Sequence, residues 1–557
     1  MTKPWHKHYE KGVVTEIDIS RYSSIAELIE ESLEKYKNRV AFHCMGTNMT
    51  YADLDEKSKN FASYLQNELG LKKGDIVALM MPNILQFPIC FFGALRAGVT
   101  LANVNPLYTA RELQHQLKDS GAKAIVILAN FAHVLEKVLK QTPVEHVVVT
   151  ELGDMLSFPK SIIVNLVVKH VKKMVPKFSL PEAISFKDAL RIGESEAPQK
   201  PDTKHHDVAF LQYTGGTTGV SKGAMLTHAN LIANMLQAEA WLINKLDPEI
   251  QSIVITPLPL YHIFSMTANC LVFTKRGGLN VLITNPKDIP AFVKELANWK
   301  FSLITGVNTL FNALLNNEDF KKLDFSSLQI ALGGGMAVQK AVADRWKQVT
   351  KVPLIEAYGL TEASPAVCIN PMNITEFNGY IGLPIPSTDL RIVGEDGKDV
   401  ASGEPGELWV KGPQVMAGYY NRPDETAKTI TSDGWLKTGD IATLGDDGFV
   451  KIVDRKKDMI IVSGFNVYPN EIEDVVAHHP GVLEVAAVGI PSEKSGEEVK
   501  IFVVPRTPTL SKDEVLSYCK ENLTGYKVPR HIEFRNELPK TNVGKILRRA
   551  LRDGAIQ

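Results

Sequence analysis

Between Ile25 and Thr150 the chain alternates short apolar runs with longer amphipathic ones, and this alternation constrains the fold more than any other feature. Ile76 to Met81 and Ala124 to Leu128 read as buried strands, while Asp53 to Leu69 and Arg111 to Ser120 read as helices. Strands separated by helices imply parallel pairing, so an α/β layer architecture is expected. At 557 residues the chain exceeds what one hydrophobic core can organise, and two or more domains are expected.

Composition then narrows the class. A chain with 44% hydrophobic and 22% charged residues is ordinary globular material, and a net charge of -1 gives no reason to expect nucleic acid. Cys44, Cys90, Cys270, Cys368 and Cys519 stand apart from one another, which suits neither a disulfide framework nor a zinc site and fits a reducing cytosol. Met1 to Val13 is polar, so no signal peptide is expected there. Ile76 to Leu95 is twenty residues without a charge, the length of a membrane span. The turn Pro82-Asn83 divides it into a strand and a helix from about Phe87 to Arg96, so a span is rejected. Ser161 to Val175, if helical, carries Ile163, Leu166, Val167, Val171 and Met174 on one side, with Asn165, Lys169, Lys172 and Lys173 on the other. Packing of the apolar side onto its own domain is the first reading of such a helix, and attachment to an anionic bilayer the second.

The stretch Tyr213-Thr-Gly-Gly-Thr-Thr-Gly-Val-Ser-Lys-Gly223 follows a short apolar run, Val208 to Tyr213. Its four glycines, three threonines and single lysine offer close backbone approach, N–H donors, hydroxyls and a cation, which together suit a phosphate group. A plain Gly/Thr-rich turn has the same composition. A Walker A loop is excluded, because Ser221 precedes Lys222 and Gly223 follows it, and no Gly-x-Gly-x-x-Gly opens a helix here. Further on, Pro257 to His262 is a loop with a lone histidine, Gly333 to Gly335 precedes a helix from about Val338 to Thr350, and Glu356 to Glu362 gathers an acid, a phenol and a hydroxyl. From Leu383 to Ile452 the texture changes to short strands with frequent turns, which predicts an antiparallel or barrel-like subdomain. A separate small α+β domain follows, with helices over Asn470 to His478 and Ser511 to Asn522 and strands over Val485 to Val488 and Val499 to Val504. It ends in Tyr526 to Arg552, where eight Lys/Arg against two Glu suit an anionic ligand.

Five motifs in order span more than 300 residues: the glycine stretch, Tyr358-Gly-Leu-Thr-Glu362, Thr438-Gly-Asp440, Asp454-Arg455 and Pro539-Lys-Thr-Asn-Val-Gly-Lys545. Together they resemble the adenylate-forming superfamily of acyl-CoA synthetases, luciferases and peptide-synthetase adenylation domains. Ile304 to Leu315 and Val462 to Glu471 carry a narrower resemblance to the bacterial long-chain fatty acyl-CoA ligases of fatty-acid degradation.

The resemblance implies a large domain over residues 1–455, with its β-rich subdomain at 383–455, and a small mobile domain over 456–557. It implies that a fatty carboxylate attacks Mg-ATP to give acyl-AMP and pyrophosphate, and that coenzyme A then displaces AMP. Lys545 is the implied cation between carboxylate and α-phosphate, Glu362 the Mg2+ ligand with Thr214 a second contact, and His262 a neighbour of the acyl and adenylate pocket. Tyr213, Thr214, Gly215, Gly216, Thr217, Thr218, Gly219 and Lys222 are implied at the phosphates, with Tyr358, Gly359 and Thr361 beside phosphate and adenine. Gly333, Gly334 and Gly335 allow close backbone approach, Asp440 accepts from the ribose hydroxyls and Arg455 supports it. Lys457 is the implied hinge, and Gly464 is expected on a strand lining a tunnel for the pantetheine arm. Fatty acid, ATP and coenzyme A are the implied partners; a cytoplasmic location follows, with peripheral membrane contact and a homodimer left open. Ser221 stands where many relatives have proline, and Met266 where some have a gating tryptophan.

Overall fold

The computed structural model describes residues 3–214, 221–492 and 494–555. The expected alternation produces two large sheets in the N-terminal part. One has seven strands, in the order Ile184–Ser185, His146–Thr150, Ala124–Leu128, Ile76–Met80, Thr100–Asn103, Val208–Thr214 and Lys222–Thr227. All of its pairs are parallel except the last, which is antiparallel. The Ile76–Met80 strand is buried at every position, as a strand covered on both faces by helices must be. The uncharged stretch that follows becomes the helix Gln86–Ala97, also buried throughout and stopped by Gly98 in the left-handed region. Among the described residues no helix is long and apolar enough to cross a membrane.

The second sheet has nine strands. Its parallel centre is formed by Leu303–Gly306, Ile330–Gly333 and Leu354–Gly359, whose C-terminal ends face the same direction. In open parallel sheets ligands bind beyond those ends. The β-rich region is a four-stranded antiparallel meander, Asp389–Val393, Gly406–Lys411, Leu436–Leu444 and Val450–Arg455 in sheet order as in sequence. It is an open sheet, not a barrel, since its first and last strands lie at opposite edges. Its apolar face packs on Ala363, Val367 and Cys368, so the nine-stranded sheet does the covering that closure would otherwise supply. The C-terminal residues form a five-stranded sheet with helices Pro469–Ala477 and Lys512–Asn522, around a separate core that includes Val467, Ile472, Ile501 and Val515. The chain thus has a large N-terminal α/β domain and a smaller C-terminal one.

The basic amphipathic segment departs from expectation. It forms the helix Lys160–Leu166, continued by a wider π turn over Val167–Val171. Its apolar side does not pack on the domain: Ile163, Leu166, Val171 and Met174 are all more than half exposed. The reason is local, because polar Asn165 is drawn inward by Gly153 N–H at 2.6 Å and by Asp154 at 3.1 Å.

Candidate active site

Beyond the C-terminal ends of the nine-stranded sheet, between the antiparallel meander and the C-terminal domain, lies a cleft of about 2180 Å³. Tyr213, Thr214, Lys222, His262, Gly335, Tyr358, Gly359, Thr361, Glu362, Asp440, Arg455, Lys457 and Lys545 all line it. Five expected phosphate contacts, Gly215, Gly216, Thr217, Thr218 and Gly219, lie outside the described residues.

The strands that flank the glycine stretch pair antiparallel, with Thr214 opposite Lys222. Ser221 bridges them, its hydroxyl donating to the Thr214 carbonyl at 2.6 Å. His115 from the helix Ala110–Ser120 meets the Ser221 carbonyl at 3.1 Å, and the same helix supplies Asp119, which accepts from the Tyr213 hydroxyl at 2.9 Å. Asp119 also pairs with Arg422. Lys222 begins a strand. Its ammonium pairs with Glu425 at 2.8 Å and stands 4.5 Å from the centre of the Tyr419 ring.

Opposite, the strand Leu354–Gly359 ends at the cleft and a short turn delivers Thr361 and Glu362. Gly359 must be glycine, since a Cβ there would stand 2.2 Å from the Pro365 carbonyl oxygen. Tyr419 donates to Glu362 Oε1 at 2.7 Å. The Tyr358 hydroxyl donates to Asp440 Oδ2 at 2.5 Å, and Arg455 Nε lies 3.5 Å from Oδ1. Burial and the Asp440 charge both raise the Tyr358 phenol, so it stays protonated and can hold this bond. Asp440 and Arg455 face each other because their strands pair in that register.

Lys545 arrives from the C-terminal domain. Its aliphatic end lies over Gly335: a Cβ there would meet Lys545 Cε at 3.2 Å, and Gly335 itself has φ +78. Both facts select glycine. Burial, joined by the nearby Arg455 charge, pulls Lys545 down to about 8, against the opposing pull of Asp440 and Glu362. His262 lies close by; burial and the Lys545 charge push it down to about 3, so it is neutral. Its Nδ1 accepts from the Phe264 N–H at 3.3 Å, capping a short helix, which leaves the ring proton on Nε2. Behind His262, Gly334, Gly335 and Lys545 opens a narrow apolar cavity of about 110 Å³, walled by Trp241, Val272, Leu303, Ile330 and Met372. Gly333 lies against Val338 and lines neither the cleft nor the apolar cavity. Met266 is fully buried, its sulfur 3.5 Å from Asn103 Nδ2, and does not line the cavity.

The C-terminal domain is seated by several contacts. Thr309 donates to the Gly544 carbonyl at 2.9 Å and Asn312 to the Leu483 carbonyl at 3.0 Å. Arg548, three residues past Lys545, spans Glu473 at 2.7 Å, Asp454 at 3.4 Å and Asp458 at 3.6 Å. Asp454 is wholly buried; burial lifts it to about 6, with Arg548 opposing the rise. Lys457 sits in the turn between these acids, its pKa lowered by burial and by Arg455. Gly464 is placed differently from expectation. It occupies the tip of the hairpin joining Ile460–Val462 to Phe465–Val467, because Ser463 at φ +52 and Gly464 at φ +83 make a tight turn there. It does not line the cleft, and nothing lies within 4 Å of where its Cβ would be.

Several site residues were not anticipated: Tyr419, Glu425, Asp119, Arg422, Arg548 and the buried acid Glu356, which burial lifts to about 8. The only sequence sign of the first was an aromatic pair, Tyr419-Tyr420, between Gly418 and Asn421, both of which adopt positive φ. Asp119, Glu425 and Arg548 lie in charged helices and Arg422 precedes one, where sequence gives no sign of a distant partner, and Glu356 lies in the strand Leu354–Gly359.

A polar cleft between a large α/β domain and a small C-terminal domain, with Tyr213, Thr214 and Lys222 on one wall and a C-terminal lysine reaching across, is the architecture of adenylate-forming ligases. The chain belongs to the AMP-binding enzyme family: residues 29–420 match that family, and residues 471–545 match the AMP-binding enzyme C-terminal domain. It is 59% identical over 555 residues to a long-chain-fatty-acid–CoA ligase of Escherichia coli O6:H1, covering 100% of this chain and 99% of that one. It is 54% identical over 558 residues to the long-chain-fatty-acid–CoA ligase of Haemophilus influenzae, with the same coverage of 100% and 99%. Among solved structures, the anthranilate CoA ligase AuaEII in complex with anthranoyl-AMP superposes with a TM-score of 0.84 at 25% identity, over 96% of this chain and 98% of that chain.

Proposed function

We propose that this chain joins a long-chain fatty acid to coenzyme A at the expense of ATP, through an acyl-AMP intermediate. The observation that carries this is Lys545: a cation from the small domain lies where the polar cleft meets an apolar cavity, next to His262 and within the field of Asp440 and Glu362. The near full-length similarity to long-chain-fatty-acid–CoA ligases supports the substrate class.

In the first half-reaction the carboxylate oxygen attacks the α-phosphorus, the bond from that phosphorus to the pyrophosphate oxygen breaks, and pyrophosphate leaves. Lys545 lies between the two oxyanions and offsets their repulsion. His262 directs its Nε2–H at the carboxyl end of the acyl chain. Asp440, fixed by Tyr358, accepts from the ribose hydroxyls; Thr214 and Lys222 face the β- and γ-phosphates. Glu362 and Thr214 fit Mg2+, which takes one or two carboxylates together with substrate phosphates and water. Among the described residues no cluster of three or more acidic, His or Cys groups forms a separate metal cage. The bound ion supplies charge neutralisation at the phosphates.

In the second half-reaction the thiol attacks the acyl carbonyl and AMP departs. A rotation about Lys457 withdraws Lys545 and brings in the Gly464 hairpin. The exposed Ile461 and Phe465 on that hairpin support the rotation, since they have apolar surface still to cover. A cavity of about 110 Å³ is below the roughly 300–1,000 Å³ of ordinary ligand pockets, so a long chain enters by displacing side chains such as Met372 and Phe264. A substrate that partitions into lipid also favours work at the cytoplasmic face of a membrane, by peripheral contact.

Thioester formation across carboxylates from acetate to oleate, with ATP and coenzyme A, tests the reading. Oleate should be the better substrate, with AMP and pyrophosphate released. Acyl-AMP that passes only to a carrier protein, or a preference for acetate, would overturn it.

A further inference from the structure

Fourteen large apolar side chains are prominently exposed among the described residues, and six of them, Phe158, Ile162, Ile163, Leu166, Val171 and Met174, fall within seventeen residues. Phe158 is 82% exposed and Val171 73%. Such a concentration is unusual for a surface that meets only water. The helix beneath it is mounted with much of its polarity inward. Ser161, Val164, Asn165 and Val168 form its inner stripe, and Asn165 is bonded to Gly153 and Asp154. Lys169 reaches Glu151 at 3.6 Å, and Asn130 donates to the Met174 carbonyl at 3.0 Å. The protein therefore anchors the segment by these polar contacts together with the inward Val164 and Val168, and leaves six large apolar side chains facing outward. Lys172, Lys173 and Lys177 are exposed beside that bulk.

We propose that residues 158–177 form a docking surface for a bilayer containing anionic lipids, into which the Phe158, Ile162, Leu166 and Val171 side chains insert while the three lysines meet the headgroups. This rests on the lipid-substrate reading above and names the surface that makes the contact. The charge chooses the occupant. An apolar face flanked by unopposed lysines is complementary to an anionic headgroup layer, whereas two copies of it face to face would set lysine against lysine. No helix among the described residues can cross a membrane, so the segment lies on the bilayer.

Sedimentation of the full-length protein with vesicles tests this without ATP or coenzyme A, so its failure is distinct from failure of the ligase reading. The protein should pellet with phosphatidylcholine vesicles containing phosphatidylglycerol, and on the order of tenfold less with phosphatidylcholine alone. The surface double substitution L166S/V171S should cut binding on the order of tenfold or more while leaving turnover of water-dispersed substrate unchanged. K172E/K173E should abolish the preference for anionic vesicles and the sensitivity of binding to salt. Undiminished pelleting of L166S/V171S, or no pelleting of the unaltered protein, would overturn the proposal. A dimer that L166S/V171S converts to monomer would overturn it too, by showing a second copy on this face.

Discussion

Two lysines reach the cleft from opposite walls, and their surroundings differ. Lys222, on the strand after the glycine stretch, is paired with Glu425 at 2.8 Å and stacked on Tyr419. Its charge is largely spent within the protein. Lys545 forms no ion pair within 4.0 Å among the described residues, and its ammonium is depressed to about 8 by burial and Arg455. One cation is paired within the protein; the other is held at an electrostatic cost that Asp440 and Glu362 only partly offset, as its proposed contact with the reacting oxyanions requires. A group stabilised by the reacting oxyanions more than by the resting protein is what transition-state stabilisation requires.

The comparison is most exposed at Lys545→Ala. Pyrophosphate exchange with fatty acid should fall on the order of 10²-fold or more, while supplied acyl-AMP is still converted to thioester. Equal loss in both half-reactions would mean that Lys545 serves the fold and not the first step.

Next in size is the pH response. On the proposed mechanism Lys545 works as the ammonium; burial and Arg455 bring it down to about 8 in the free protein, and the charge is lost as pH rises through that value. The kcat/KM of the first half-reaction should therefore be level below about pH 8 and fall about tenfold per unit above it. Arg455, Asp440, Glu362 and His262 face the same group; His262, at about 3, is already neutral and adds no limb near neutrality. Bound oxyanions raise the lysine, so the limb in kcat should lie at higher pH. A profile without this limb, or identical limbs in kcat and kcat/KM, would remove the contrast with Lys222.

A smaller effect is expected from Arg548→Gln. Arg548 ties the segment carrying Lys545 to Asp454 and Asp458 on either side of Lys457. Loosening that tie should lower adenylate formation by about five- to tenfold through poorer seating of Lys545, with thioester formation from acyl-AMP spared. Partial recovery in Arg548→Lys would separate positioning by charge from a general packing defect.

Legibility of the molecule from sequence divides along the same line. The parallel sheets were readable because burial on both faces leaves uninterrupted apolar runs such as Ile76–Met80, and the helix expected over Ser511 to Asn522 forms as Lys512–Asn522 behind a Ser511 cap. The motif residues in the cleft were legible through the order of motifs shared with the family, and the structure supplies the physical reason at Gly335 and Gly359, where a Cβ would crowd Lys545 or the Pro365 carbonyl. Partners brought in by tertiary pairing were not. Glu425 and Asp119 sit on ordinary helices and acquire meaning only when Lys222, Tyr213 and Arg422 are folded against them. The Lys160–Leu166 helix was misread for a related reason: periodicity identifies an apolar side but not which way it faces, and Asn165 decided that through two bonds to residues eleven and twelve positions away.

The smallest effect should come from Lys222→Ala, and for that reason it is the sharpest check on the comparison. The Lys222–Glu425 pair is partly exposed, at 28% and 36% of the side-chain surface, and solvent-screened pairs of this kind contribute little to stability. Removing the lysine leaves Glu425 still compensated by Lys428 at 2.8 Å, so no isolated buried charge results. The ends of the flanking strands are held independently by Ser221 and His115. The substitution should therefore raise the KM for ATP by about threefold or less, through weaker phosphate binding, and leave kcat for adenylation nearly intact. A loss in kcat that approaches the Lys545→Ala value would show that Lys222 leaves Glu425 for the phosphates in the transition state, and the division between paired cation and delivered cation would fail.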